Sequence, residues 1–314
     1  MLKKKISKIK AIVAELGFSR SIVIILNYIF SKNNGYIKYI KKIIIDENKE
    51  IIEKYKKEKT EDFRIIEKKI WFFWWQGKNN FPEIVKVCYN NLKKNIPSDY
   101  EVVLIDKDNY MNYVQLPEII ISKLNDNKIT LTHFSDLLRQ ELLCKIGGMW
   151  IDSTVFCPNS ISSDFLDKKE FWSIKLGSER INKKSYGQVI SGCKFAGFIL
   201  KNNINSVTMR FVRECNFNYW YNHNYLIEYF IQILIMQIGY ELIPTIKNEI
   251  DNYEVSNINL YKLNDIMNEK FDLNIYNELK SNCNFFKLTW KTKYIKYKDN
   301  CSTFYNYIVQ DNKE

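Results

Sequence analysis

The chain has 314 residues, 46% hydrophobic and 15% aromatic, with only 5 Pro and 10 Gly, which excludes a disordered, fibrous or small stapled protein. Its 47 Lys and Arg against 36 Asp and Glu give a formal charge of +11, but residues 1–45 hold ten basic residues against the single acid Glu15, so +9 lies there. The remaining chain is nearly balanced, which argues against a nucleic-acid partner for it.

In chain order, residues 1–60 read as helices broken near Asn33-Asn34-Gly35, with lysines interleaved among isoleucines and around the apolar stretch 22–30. That stretch falls short of the about 20 apolar residues a bilayer span needs, and no small-residue cleavage site follows it. Two readings are open. Residues 1–45 form an anchor on an anionic membrane surface, or an accessory helix packed on the domain with a solvated basic face. The mixed-charge run 46–62 reads as a solvated helix or linker. It places a boundary near residue 65, between a basic amphipathic helical extension (1–65) and an α/β domain (66–314).

Residues 69–75, Lys-Ile-Trp-Phe-Phe-Trp-Trp, form a strand-length apolar run ended by Gln76-Gly77. Alternation puts Trp74 on the face of Phe72, and Trp71, Phe73 and Trp75 on the other. A helix opens at Pro82, with Ile84, Val87, Cys88 and Leu92 at helical spacing. Pro97-Ser98-Asp99 then breaks the chain before a strand at 100–105 that ends in Asp106. This βαβ unit predicts parallel strands and a ligand beyond their carboxyl ends, near residues 74–77 and Asp106. Helices at 117–124 and 135–146 follow, the second stopped by Gly147-Gly148, and then a strand at 149–156. Further on, 171–175 and 195–200 read as strands, and 207–221 and 226–238 as helices.

The seven cysteines contain no C-x-x-C pair and suit a reducing cytoplasm; with only two histidines, any metal must be held by oxygen ligands. On the helix 135–146, Glu141 and Lys145 share one side, whereas Asp136 and Arg139 fall on a mainly apolar side with Leu143 and Ile146. Ser135 or Asp136 could cap that helix, with Arg139 completing a salt bridge one turn on. Alternation in the next strand puts Trp150, Asp152 and Thr154 on one face, with Asp152 near the carboxyl end. Two acids and an arginine from adjoining elements can meet ribose hydroxyls, a hard cation and a phosphate, which fits a nucleotide diphosphate.

The pattern Ser135-Asp136-x-x-Arg139, then Gly147-Gly148-x-Trp150-x-Asp152-x-Thr154, resembles glycosyltransferases with a DXD sugar-binding motif. It is most similar to the capsular polysaccharide synthesis proteins and more distantly to the large clostridial glucosylating toxins. Segments 70–77 and 287–291 resemble parts of the capsular family too, so the likeness covers about residues 67–295. It implies a GT-A (Rossmann-like, nucleotide-sugar-binding) fold, a UDP-sugar donor and transfer with retention. By the same resemblance Trp74 contacts uracil, and Ser135, Asp136 and Arg139 hold the donor sugar and diphosphate. Asp152 meets ribose and, through water, a metal, while Trp290 and Lys291 close over the diphosphate. Asp136, Arg139 and Asp152 are the expected catalytic residues; no nucleophile stands out. Thr154 stands where the second acid is expected, and a hydroxyl is a poorer cation ligand. Either Mn²⁺ or Mg²⁺ binds through Asp152, the diphosphate and water, or Arg139 and Lys291 supply the charge. The expected protein is a cytoplasmic transferase, peripheral on the inner face of the plasma membrane, acting on a lipid-linked saccharide. A transferase acting on protein, a non-catalytic membrane- or nucleic-acid-binding protein, and an inactive transferase are the alternatives.

Overall fold

In helix α1 (Asn34–Glu47) and helix α2 (Lys49–Tyr55), Tyr36, Ile40, Ile43, Ile44, Ile52 and Tyr55 recur at helical spacing and are all buried. The computed structural model describes residues 9–10, 12–17, 21–22, 25–26, 34–59, 67–168, 170–182, 185–204 and 206–313. Most of the apolar stretch 22–30 and the expected boundary near residue 65 lie outside the described residues. Lys38 and Lys42 face solvent from α1.

Strand β1 (Lys69–Phe73), helix α3 (Glu83–Asn95) and strand β2 (Glu101–Ile105) make the expected βαβ unit, parallel from Lys69↔Glu101 to Phe73↔Ile105. β1 stops two residues short of the apolar run, because Gly77 N donates to Trp74 O at 3.0 Å and turns the chain. Helix α4 (Glu118–Asn125) leads to helix α5 (Leu131–Lys145), which begins four residues before the expected start. Its cap is Thr130, whose side chain accepts from His133 N; neither Ser135 nor Asp136 has that role.

Strand β3 (Gly148–Ile151) follows, parallel to β1, and the strand expected to run through residue 156 is in two parts. Asp152 N donates to Phe198 O and Val155 N to Asp152 O, both at 2.9 Å, so the chain turns before strand β4 (Val155–Phe156). Strand β5 (Trp172–Ser173), helix α6 (Tyr186–Ser191), strand β6 (Ile199–Asn202) and helix α7 (Val207–Asn222) come next. Helix α8 (Ile231–Leu242) starts five residues later than the spacing predicts, and strand β7 (Phe286–Lys287) and helix α9 (Phe304–Asp311) complete the elements used below.

The central sheet has the order β2-β1-β3-β6-β5, with β1, β2 and β3 parallel and β6 antiparallel to both its neighbours. This is a mixed α/β, Rossmann-like arrangement. Trp71, Trp150 and Leu200 point to a core shared with α1, α2, α5, α7 and α8. Ile70, Phe72, Met149 and Ile199 point to a second core with α3, α9 and the segment around β7. Trp74 packs on the second and Phe73 and Trp75 on the first, as period-2 alternation predicts.

A polar knot fixes the N-terminal helices to α7. His223 Nδ1 lies 3.0 Å from Glu15 and Nε2 2.9 Å from Glu47, while its ring stacks on Tyr219 at 4.4 Å. Lys123 donates to the carbonyls of Trp220 and His223 beside it. Burial works against the imidazolium, but Glu47 and Glu15 outweigh it and raise the His223 pKa above the ordinary 6.5. The folded pKa being the higher one, the stabilisation is complete below about pH 6.5 and disappears as pH rises through the folded value. We expect His223→Asn to lose about 1.5–3 kcal/mol in acid and progressively less as the solution becomes alkaline. Thermal melts of both proteins from pH 6 to 9 check this; a pH-independent gap would contradict it.

Candidate active site

The turn between α5 and β3 sets the geometry. Gly147 and Gly148 have φ of +81° and +92°, and a Cβ on Gly148 would stand 2.5 Å from Lys69 O of β1. Only glycine lets the helix double straight back into the strand. From Arg139 to the turn is seven helical residues at about 1.5 Å each, and from the turn to Asp152 four extended residues at about 3.3 Å each. The two side chains therefore come level at the carboxyl edge of the sheet.

There Arg139 Nη2 lies 3.1 Å from Asp136 Oδ1 and 3.3 Å from Asp152 Oδ1. Its Nη1 donates to Gly197 O, and the guanidinium lies 4.9 Å from the centre of the Trp150 ring. Trp150 Nε1 donates to Asp152 Oδ1 at 2.8 Å, and Lys287 Nζ holds Asp152 Oδ2 at 3.0 Å. The antiparallel pair β4–β7, which sets Val155 opposite Lys287, brings that lysine to the turn from 135 residues away. Burial pushes the Asp136 carboxyl up to about 6, against the pull of Arg139 and with a further push from Asp152. Burial also opposes ionisation of Asp152, but Lys287, Arg139 and the Trp150 N–H together hold its pKa below the ordinary value.

The cluster forms one wall of a cleft of about 660 Å³ at the carboxyl ends of β1 and β3. Trp74, Ser135, Asp136, Arg139, Asp152, Thr154, Trp290 and Lys291 all line it. Trp74 and Trp290 meet edge to face, 5.7 Å apart at 86°. Ser135 donates to Thr132 O at 2.8 Å, and Lys291 is exposed at the rim. Asp106 is not in the cleft wall: its Oδ1 accepts from Asp108 N and Asn109 N and shapes the loop after β2. Glu141, on the other side of α5, pairs with Lys145 and Arg213.

Residues 22–308 match the capsular polysaccharide synthesis protein family. The chain belongs to this family. The match takes in α1 and α2 as well as the α/β region, and so extends beyond the segment 67–295. This capsular polysaccharide synthesis protein is also similar to an O-glycosyltransferase, braB, of Annulohypoxylon truncatum. The two are 32% identical over 98 residues, which make up 29% of this chain and 23% of that protein. No solved structure matches the chain.

The donor set around Asp152 fits a divalent cation poorly. Both carboxylate oxygens already accept from cations or an N–H, and Thr154 adds only a neutral oxygen. Among the described residues no three His, Cys, Asp or Glu side chains lie together as a metal site. The cations in contact with Asp152 are Arg139 and Lys287. The sequence shows Lys287 only as the first residue of the segment 287–291; the structure adds it beside Asp152, with Lys291 in the same cleft wall.

Proposed function

We propose that this protein is a UDP-sugar-dependent glycosyltransferase of the GT-A type, acting with retention on a lipid-linked oligosaccharide in capsular or cell-surface polysaccharide synthesis. One observation carries the reading: Asp136, Arg139, Asp152 and Lys287 converge in a cleft also lined by the contacting rings of Trp74 and Trp290. Membership of the family and the likeness to an O-glycosyltransferase support it.

In this reading uracil packs against Trp74, while Asp152 accepts from the ribose. Arg139 and Lys287, joined by Lys291 at the rim, offset the charge that builds on the diphosphate as the sugar leaves. Asp136, next to Arg139, accepts from the sugar. The enzyme works at the cytoplasmic face of the plasma membrane, with residues 1–45 on the anionic lipid surface; the solvent-facing Lys38 and Lys42 suit that contact. A Mg²⁺ or Mn²⁺ held by Asp152 is the competing route for charge, and chelation separates the two: turnover persists in chelator if the arginine and lysines suffice.

The test is UDP release from a panel of UDP-sugars, with lipid-linked saccharide or with protein as acceptor. Release stimulated by the lipid fraction is expected. No release from any UDP-sugar, with or without Mn²⁺, would overturn the proposal. Trp74→Ala should weaken UDP by about 1–3 kcal/mol, the worth of stacking one base on an aromatic ring. Fluorescence titration measures it, and unchanged affinity would remove Trp74 from the site.

A further inference from the structure

Arg139 and Lys287 mark only one end of the cleft. The part of its wall that comes from residues 174–261 includes no charged side chain among the described residues, but it contains Ser185, Gln188, Ser191 and Gln232 beside Ile174 and Leu176. Gln232, in the first turn of α8, is 2% exposed, and neither its amide nitrogen nor its carbonyl oxygen has a partner. A buried amide without partners is costly unless a ligand completes it. The only other described residue of the cleft wall with an unpartnered buried polar atom is Arg139, at Nε.

Gly197 joins these two residues. Its carbonyl accepts from Arg139 Nη1, and a Cβ built on it would stand 3.4 Å from Gln232 Nε2. The free amide thus lies one residue away from the guanidinium that holds the diphosphate, which is where the first group beyond the phosphates must lie. A carboxamide offers one acceptor and one donor side, matching two hydroxyls of a sugar. A negatively charged sugar there would be desolvated with no cation from this part of the wall to meet it.

We propose that Gln232 is a specificity-determining residue that hydrogen-bonds hydroxyls of the transferred sugar, and that the neutral end of the cleft selects an uncharged hexose over a uronic acid. The inference rests on the reading of the charged cluster as a UDP-sugar site. A site built to pair with hydroxyls strongly rejects ligands that cannot supply them, because its own polar groups are then left unpaired.

Calorimetric titration of the full chain and of Gln232→Leu with UDP, UDP-glucose, UDP-galactose and UDP-glucuronic acid tests it. The wild-type protein should bind at least one neutral hexose donor tenfold or more tightly than UDP, and bind UDP-glucuronic acid no more tightly than UDP. Gln232→Leu should keep UDP affinity within about threefold, lose the advantage of the hexose donor, and melt at or above the wild-type temperature. A merely structural amide would instead lower the melting temperature and leave the ratio of hexose donor to UDP unchanged. That result, or a wild-type protein binding UDP-glucuronic acid as tightly as either hexose donor, or binding neither hexose more tightly than UDP, overturns the inference. Failure of the wild-type protein to bind UDP at all overturns the underlying site reading, and this inference with it.

Discussion

Arg139→Ala is expected to abolish sugar transfer and to cost about 3–5 kcal/mol of folding stability, the penalty for removing one partner of a buried ion pair. Both effects have the same cause. Arg139 is 5% exposed, and its guanidinium is the shared counter-charge of Asp136 and Asp152, besides capping the Gly197 carbonyl and covering the Trp150 ring. Without it two carboxylates face each other in a desolvated wall. Asp136, already pushed up to about 6, takes up its proton more readily still. The stability loss should therefore be smaller at pH 5 than at pH 8, because protonation relieves the unpaired charge. Arg139→Lys keeps the charge but lacks the planar fork needed to meet two acids and a carbonyl at once, so it should recover part of the stability and little of the turnover. Urea unfolding at both pH values, alongside UDP release, checks this. Turnover near wild type with a stability change under 1 kcal/mol would contradict it.

Asp152→Asn should leave a folded protein whose turnover is lower by about 10²–10³, the usual effect of removing one preorganised polar group from an active site. Asparagine matches the volume of aspartate and can still accept from Trp150 Nε1. It cannot balance Arg139 and Lys287, which the aspartate holds at 3.3 and 3.0 Å from its two oxygens. The two cations then lose the carboxylate that positions them, while the charge they present to a diphosphate increases. Turnover should consequently fall much further than UDP affinity, so steady-state kinetics should show the loss chiefly in kcat. A variant with turnover within threefold of wild type would remove Asp152 from the reaction.

Local patterns made much of the arrangement legible. The βαβ unit followed from an apolar run, a helical spacing and a second apolar run. The helix, Gly-Gly turn and strand placed Asp136, Arg139 and Asp152 together because only thirteen residues and one turn separate the last two. Nonlocal features were not legible in this way. Lys287 reaches Asp152 only through the β4–β7 pair, a long-range contact that no periodicity encodes. Gln232 falls in the middle of the helix read over 226–238 with nothing in the sequence to set it apart, and only the cleft wall singles it out. The division of the strand 149–156 depends on where its neighbour β6 begins, since Ile199 pairs with Ile151 and Phe198 O takes Asp152 N. Burial of α1 and α2 against α7 and α8 was likewise decided by tertiary packing, which composition and charge did not show.

On the proposed function, Lys287 and Arg139 together hold a diphosphate in this cleft. Calorimetric titration of UDP into the wild-type protein and Lys287→Met, in buffer containing a metal chelator, tests it most directly. The wild-type protein should bind one UDP per chain and Lys287→Met should bind it at least tenfold more weakly, with uridine barely distinguishing the two. Equal UDP affinity in both proteins, or no UDP binding by the wild type, would contradict it.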